Sequence, residues 1–146
     1  MKEILEDTQE IITTTKIVPK KIHYYSAAKW KWRVLIEALR RAETQPETLD
    51  GLIRDMISAK IASQKDLPKF AAKIVKQART MSAELRKRRI LMGELDEKST
   101  LTEAKTFLSK ELKVPVEIHS EDDSNLYDPK VRAKLAEPYR PAIFIE

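Results

Sequence analysis

Two histidines, an acidic loop and a run of four cations are the places in this 146-residue chain where chemistry could sit. His23 and His119 each fall within an alternating apolar stretch, with no histidine at i+4 and no cysteine anywhere. A metal needs several convergent ligands, so the spacing makes both ordinary strand histidines and gives no metal site. The loop Glu121-Asp122-Asp123-Ser124-Asn125 is acidic but lacks the alternating oxygen ligands and the glycine of a calcium loop. It reads as solvated. No glycine-rich phosphate cradle, HExxH or GxSxG occurs, and two glycines could hardly build one. Catalytic residues are therefore expected to be absent from this segment.

Positive charge is better organised. In the stretch that follows Asp66, Lys69, Lys73 and Lys76 fall within about 60° of arc at the helical angle of about 100° per residue, opposite the apolar residues. The strip continues into Arg86, Lys87, Arg88 and Arg89, with Glu84 the first acid to interrupt it. Such an arrangement suits contact with phosphates. KWKWR (29–33) interleaves indoles with cations, which suits base stacking. Trp30 lies toward the expected inner arc of its helix, and Trp32, about 200° away at that same angle per residue, is the exposed candidate for stacking.

These groups need a frame. Residues 2–15 place Ile4, Leu5, Ile11 and Ile12 at helical spacing, and Pro19 breaks the chain after them. KIHYYSA (21–27) alternates as a strand, and Ser26 is placed to cap a helix over 27–42. A short helix carries Leu49, Leu52, Ile53, Met56 and Ile57. Asp66 as cap and Pro68 in the first turn open the clearest helix, with Leu67, Phe70, Ala71, Ile74, Val75 and Ala78 inward. Ser99 or Thr100, followed by Glu103, marks the start of another helix. VPVEIHSE (114–121) is a second strand, DPKVRAKLAEP (128–138) a short helix or turn, and PAIFIE a third strand. The order predicts an α+β fold: a small mixed sheet of about three strands packed with four to six helices.

The totals bound the partners. A net charge of +5 favours polyanions such as RNA, DNA or an acidic membrane surface. Neither a signal-peptide pattern nor an apolar run of about 18 residues occurs, so the expected location is cytoplasmic. With 35% charged residues, one Asn and two Gly, the composition leans toward the hyperthermophile pattern.

The stretch 114–146 resembles the extreme C-terminus of archaeal-type leucyl-tRNA synthetases. Tyr127-Asp128-Pro129-Lys130, Arg132-Ala133-Lys134-Leu135-Ala136 and the closing Arg140-Pro141-Ala142-Ile143, Ile145 and Glu146 carry the likeness. KIVPKKIHYYSAAKWKW (16–32) and LRKRRILMGELDEKSTLTEAKTFL are similar to the same appended domain. The resemblance implies that residues 19–146 form a C-terminal tRNA-binding domain, with residues 1–18 a junction helix toward a missing catalytic body. It implies binding of tRNA-Leu by its long variable arm, to position it for aminoacylation by that body. Phe144, Ile145 and Glu146 would read bases, while Arg86–Arg89 with Lys69, Lys73 and Lys76 would hold the backbone. No cofactor is implied here; ATP and magnesium belong to the parent ligase, whose catalytic and editing body is the implied partner in cis. The alternatives are a protein–protein module docking through Ile4, Leu5, Ile11 and Ile12, or an RNA binder without sequence preference.

Overall fold

A computed structural model describes residues 2–60 and 65–146. Six helices and three strands are present among them: α1 (Lys2–Thr15), β1 (Ile22–Ser26), α2 (Lys29–Thr44), α3 (Leu52–Ser58), α4 (Leu67–Thr80), α5 (Ala83–Met92), α6 (Glu97–Leu112), β2 (Val116–Ser120) and β3 (Ala142–Ile145). The fold is α+β, as the order of apolar patterns predicts. The chain forms two compact units, one from residues 1–28 with 96–146 and the other from residues 29–95.

The first unit holds the sheet, in the order β2-β1-β3. β1 is central and buried at all five positions. It runs parallel to β2, with Ile22 opposite Val116 and Tyr25 opposite His119, and antiparallel to β3, with His23 opposite Phe144. Because strand side chains alternate between faces, Ile22, Tyr24, Val116, Ile118, Ile143 and Ile145 all point to one side. There they meet Ile4 of α1 and Leu101, Leu108 and Leu112 of α6 in a single apolar core. One polar pair lies inside it. Thr8 gives its hydroxyl proton to the Ile4 carbonyl at 2.7 Å, so Tyr24 donates to Thr8, also at 2.7 Å. Of the α1 seam offered to a partner by the sequence, Ile4 is buried and Leu5 and Ile12 pack against the core, whereas Ile11 is exposed.

In the second unit, α4 and α5 pack on α2, with Leu35, Leu39, Leu52, Leu67 and Ile74 buried. Three cap assignments need correction. Ser26 is the last residue of β1, three residues before α2 begins at Lys29, and its hydroxyl lies 3.4 Å from the His119 carbonyl. The helix from Asp66 does not run on into the cations. It stops at Thr80, and α5 begins anew with Ser82, whose hydroxyl accepts from the Leu85 amide at 3.2 Å. Asp66 itself makes no side-chain cap bond. In the first unit, α6 opens two residues earlier than Ser99 and is capped by Asp96, which accepts from the Ser99 amide at 3.1 Å. The last two outcomes follow one rule: the side chain that reaches the orphan amide three residues on becomes the cap.

The four tyrosines all lie in the first unit and both tryptophans in the second, so each unit has its own optical reporter. Leu108→Ala should cost about 2–5 kcal/mol in urea unfolding followed by tyrosine signals. A second expectation concerns Glu97, which accepts from the Tyr139 amide at 3.2 Å and whose burial pushes its carboxyl up to about 7 from the usual 4.5. The folded unit holds this proton more tightly than the unfolded chain does. Its contribution is therefore complete below 4.5 and lost as pH rises through 7. Glu97→Gln should flatten that slope; an unchanged slope in the variant would exclude Glu97 as its source.

Candidate nucleic-acid interface

The face of the sheet away from the core carries the other parity of each strand: His23 and Tyr25 from β1, Glu117 and His119 from β2, Phe144 from β3. Their rings form a chain. Tyr25 and His119 centroids lie 5.0 Å apart, His119 and His23 5.2 Å, and His23 and Phe144 5.5 Å, all nearly parallel. Tyr127, from the connection between β2 and β3, tilts against His23 at 5.0 Å. Its backbone is fixed by the Tyr25 hydroxyl, which donates to the Tyr127 carbonyl at 2.6 Å.

Glu146 follows β3 and extends its pairing with β1. Its amide donates to the Lys21 carbonyl at 2.8 Å, and its carbonyl oxygen accepts from the Lys20 amide at 2.6 Å. With the backbone held in this way, the side chain reaches across to the ring cluster. His23 Nε2 lies 2.6 Å from Glu146 Oε2, and the Tyr127 hydroxyl donates to Glu146 Oε1 at 2.8 Å. Behind them, His23 Nδ1 lies 3.0 Å from His119 Nε2. Lys21, His23, Glu117, His119, Tyr127 and Glu146 line an open groove of about 520 Å³.

These bonds set the electrostatics. Hydrogen bonds from His23 and Tyr127 hold the Glu146 carboxyl below the usual range, so it is ionised at neutral pH. Tyr127 answers in kind, its hydroxyl pushed up by that bond. Burial first, and then its His23 neighbour, hold His119 below the usual histidine value. Burial, followed by the nearby Asp128, raises Tyr25 to about 12. His23 is 2% exposed, whereas Tyr127 is 46% exposed and borders solvent. An ionised carboxylate has about four acceptor directions, two of which His23 and Tyr127 use. What remains can accept N–H groups from a ligand in the groove. Among the described residues, no group of three or more His, Asp or Glu is placed to hold a metal ion.

Comparison with known proteins places this geometry. No protein-family model matches the chain. The whole chain is 40% identical to part of the leucine–tRNA ligase of Methanosarcina barkeri and 38% identical to that of Methanosarcina mazei, covering 15% of each. The Pyrococcus abyssi ligase is 29% identical over the whole chain, which covers 13% of it. The chain is similar along its whole length to archaeal-type leucyl-tRNA synthetases. It corresponds to the C-terminal part of those proteins and spans about 15% of the length of the relatives it matches. No helix among the described residues of this synthetase segment is long and apolar enough to cross a membrane.

The residues singled out from sequence fall into distinct places. Phe144 and Glu146 share the groove face, while the Ile145 side chain packs toward the core on the opposite face. Lys69, Lys73 and Lys76 are exposed along α4, and Lys87 and Arg88 on α5. Arg86 differs. Its Nε lies 2.6 Å from Glu43 Oε1, and its Nη1 donates to the carbonyls of Ala78 and Met81 at 3.0 and 2.6 Å. This half-buried clamp ties α5 to α2 and to the end of α4. The exposure expected of Trp32 is corrected: it is 3% exposed. Helix α2 is buried around most of its circumference, with Lys31, Trp32, Val34, Leu35, Ile36, Ala38 and Leu39 all inside, so it has no simple inner and outer arc. Trp30 instead stands edge-on to Phe70 at 5.2 Å.

Sequence reasoning missed the pairing of His23 with His119 and the part played by Tyr127. Strand parity was the available signal, since His23 and Tyr25 sit opposite in phase to Ile22 and Tyr24. The strand order that joins two distant histidines was not readable from it. In this account, replacing His23 by Phe lets the Glu146 carboxyl rise toward its ordinary value. An NMR titration of the Glu146 side-chain carboxyl carbon checks this, and an unmoved titration midpoint would contradict the bond.

Proposed function

We propose that this chain binds tRNA-Leu through its long variable arm and positions it for aminoacylation by the catalytic body of the same ligase, in the cytoplasm. One observation carries the reading: the chain aligns along its whole length with leucine–tRNA ligases, and its last residue is a carboxylate held ionised at the edge of an aromatic groove. In the proposal Glu146 accepts hydrogen bonds from base amino groups, Phe144 supplies an apolar neighbour, and Ile145 contributes through its main chain. Base edges in a splayed loop present such donors, whereas the interior of an A-form helix hides them. A carboxylate repels phosphate, so it contributes discrimination rather than raw affinity.

Affinity comes from the cations of α4 and α5. Lys69, Lys73, Lys76, Lys87 and Arg88 are the backbone contacts we assign, with Arg89 beside them. Arg86 is left out of that set because its guanidinium is already engaged with Glu43 and two carbonyls. The segment contributes orientation and no bond-making step; ATP and magnesium act in the catalytic body.

A titration of the chain against tRNA-Leu, against the same tRNA with its variable arm trimmed, and against a short-arm tRNA tests the proposal. Affinity for the intact tRNA is expected to exceed that for the other two and to fall steeply with salt. Lys87→Glu with Arg88→Glu should weaken binding to all three and flatten the salt dependence. Glu146→Gln should lower the preference for the intact arm by about tenfold, within the 1–3 kcal/mol of a good base contact, while leaving the salt slope alone. Equal binding to all three RNAs would leave only a polyanion binder.

A further inference from the structure

We propose that His119, acting through His23, is a positioning residue that fixes the proton order of the groove and keeps Glu146 a pure hydrogen-bond acceptor. The inference rests on the proposed reading of Glu146 as a base-contacting group, but its physical basis is the geometry of three side chains. An ionised carboxylate can only accept, so at 2.6 Å the proton between His23 and Glu146 sits on His23 Nε2. A neutral imidazole carries one proton. In the neutral state we propose for His23, Nδ1 is bare and at 3.0 Å accepts from His119 Nε2. The protons therefore point one way, from His119 to His23 to Glu146, and Tyr127 adds a second donor to the same carboxylate.

Without a donor at its Nδ1, His23 could take the opposite tautomer and turn a lone pair toward the carboxylate. Glu146 would then leave the ring or pick up a proton, becoming a donor itself. A ligand that offers N–H groups would lose its acceptor, and one that offers lone pairs would gain a partner. His119 thereby determines which hydrogen-bond pattern the groove accepts, although it need not touch the ligand.

The test uses the full chain labelled with ¹⁵N at histidine, together with His119→Phe and His119→Gln. At pH 7.5 the wild type should show His23 as the neutral Nε2–H tautomer. His119→Phe should show a mixture, whereas His119→Gln, whose amide can still donate to Nδ1, should retain the wild-type signature. Preference for intact over arm-trimmed tRNA-Leu is expected to fall by about tenfold in His119→Phe, the size of one hydrogen bond to a charged group, and to be kept in His119→Gln. A wild-type His23 that is cationic or Nδ1-protonated at pH 7.5 would overturn the proposal, and this holds even if His119→Phe does not fold. So would a His119→Phe variant with unchanged tautomer and preference. If the wild type shows the Nε2–H tautomer but no arm preference at any pH, the base-reading role fails, and with it the function of His119 in recognition, while the proton order stands.

Discussion

The contact on which the groove depends is the 2.6 Å bond between His23 Nε2 and Glu146 Oε2. It joins the buried central strand to the residue after an edge strand and, with the Tyr127 hydroxyl, holds that residue's carboxylate in place. Everything around it serves that bond. The main chain of Glu146 is paired to Lys20 and Lys21, and His23 is stacked among Phe144, His119 and Tyr127. The apolar core on the opposite face holds β1 flat against α1 and α6. A shift of one residue in the β1–β3 register would carry Phe144 and Glu146 to the core side and Ile143 and Ile145 into the groove. The core is thus what aligns the site.

The two units carry different kinds of charged surface. In the second unit, cations lie along α4 and α5, and those that face solvent differ from the one that holds the helices together. Arg86 illustrates the difference, since its bonds to Glu43 and two carbonyls saturate most of its fork. A residue so engaged gains little by meeting a phosphate. In the first unit the groove instead presents a carboxylate held by His23 and Tyr127, a poor surface for a phosphate and a good one for amino groups. In the proposed reading, affinity and discrimination rest on different residues, and salt should separate them.

Much of the frame was legible in the sequence. Alternation marked KIHYYSA and VPVEIHSE, and the apolar close marked PAIFIE, although β1 is buried at all five positions. Helix existence was equally plain from the 3.6-residue period. The break between α4 and α5 was not, because Met81 and Ser82 interrupt neither the apolar pattern nor the run of helix formers strongly. Trp32 misled because a helix buried on several sides has no single inner arc. His23 and His119 looked solitary because a sequence shows parity within a strand but not which strands become neighbours. The parallel pairing of β1 with β2 brings together His23 and His119, which lie 96 residues apart, and no local pattern encodes that. The terminal motif, by contrast, was specific enough to indicate the family on its own.

The most direct check on the account is an NMR map of the full chain as a hairpin RNA with the sequence of the tRNA-Leu variable arm is added. Perturbations centred on His23, His119, Tyr127, Phe144 and Glu146, and persisting at a salt concentration that strips RNA from the lysines of α4, are the predicted result. Perturbations confined to α4 and α5, with the groove signals unmoved throughout the titration, would contradict it.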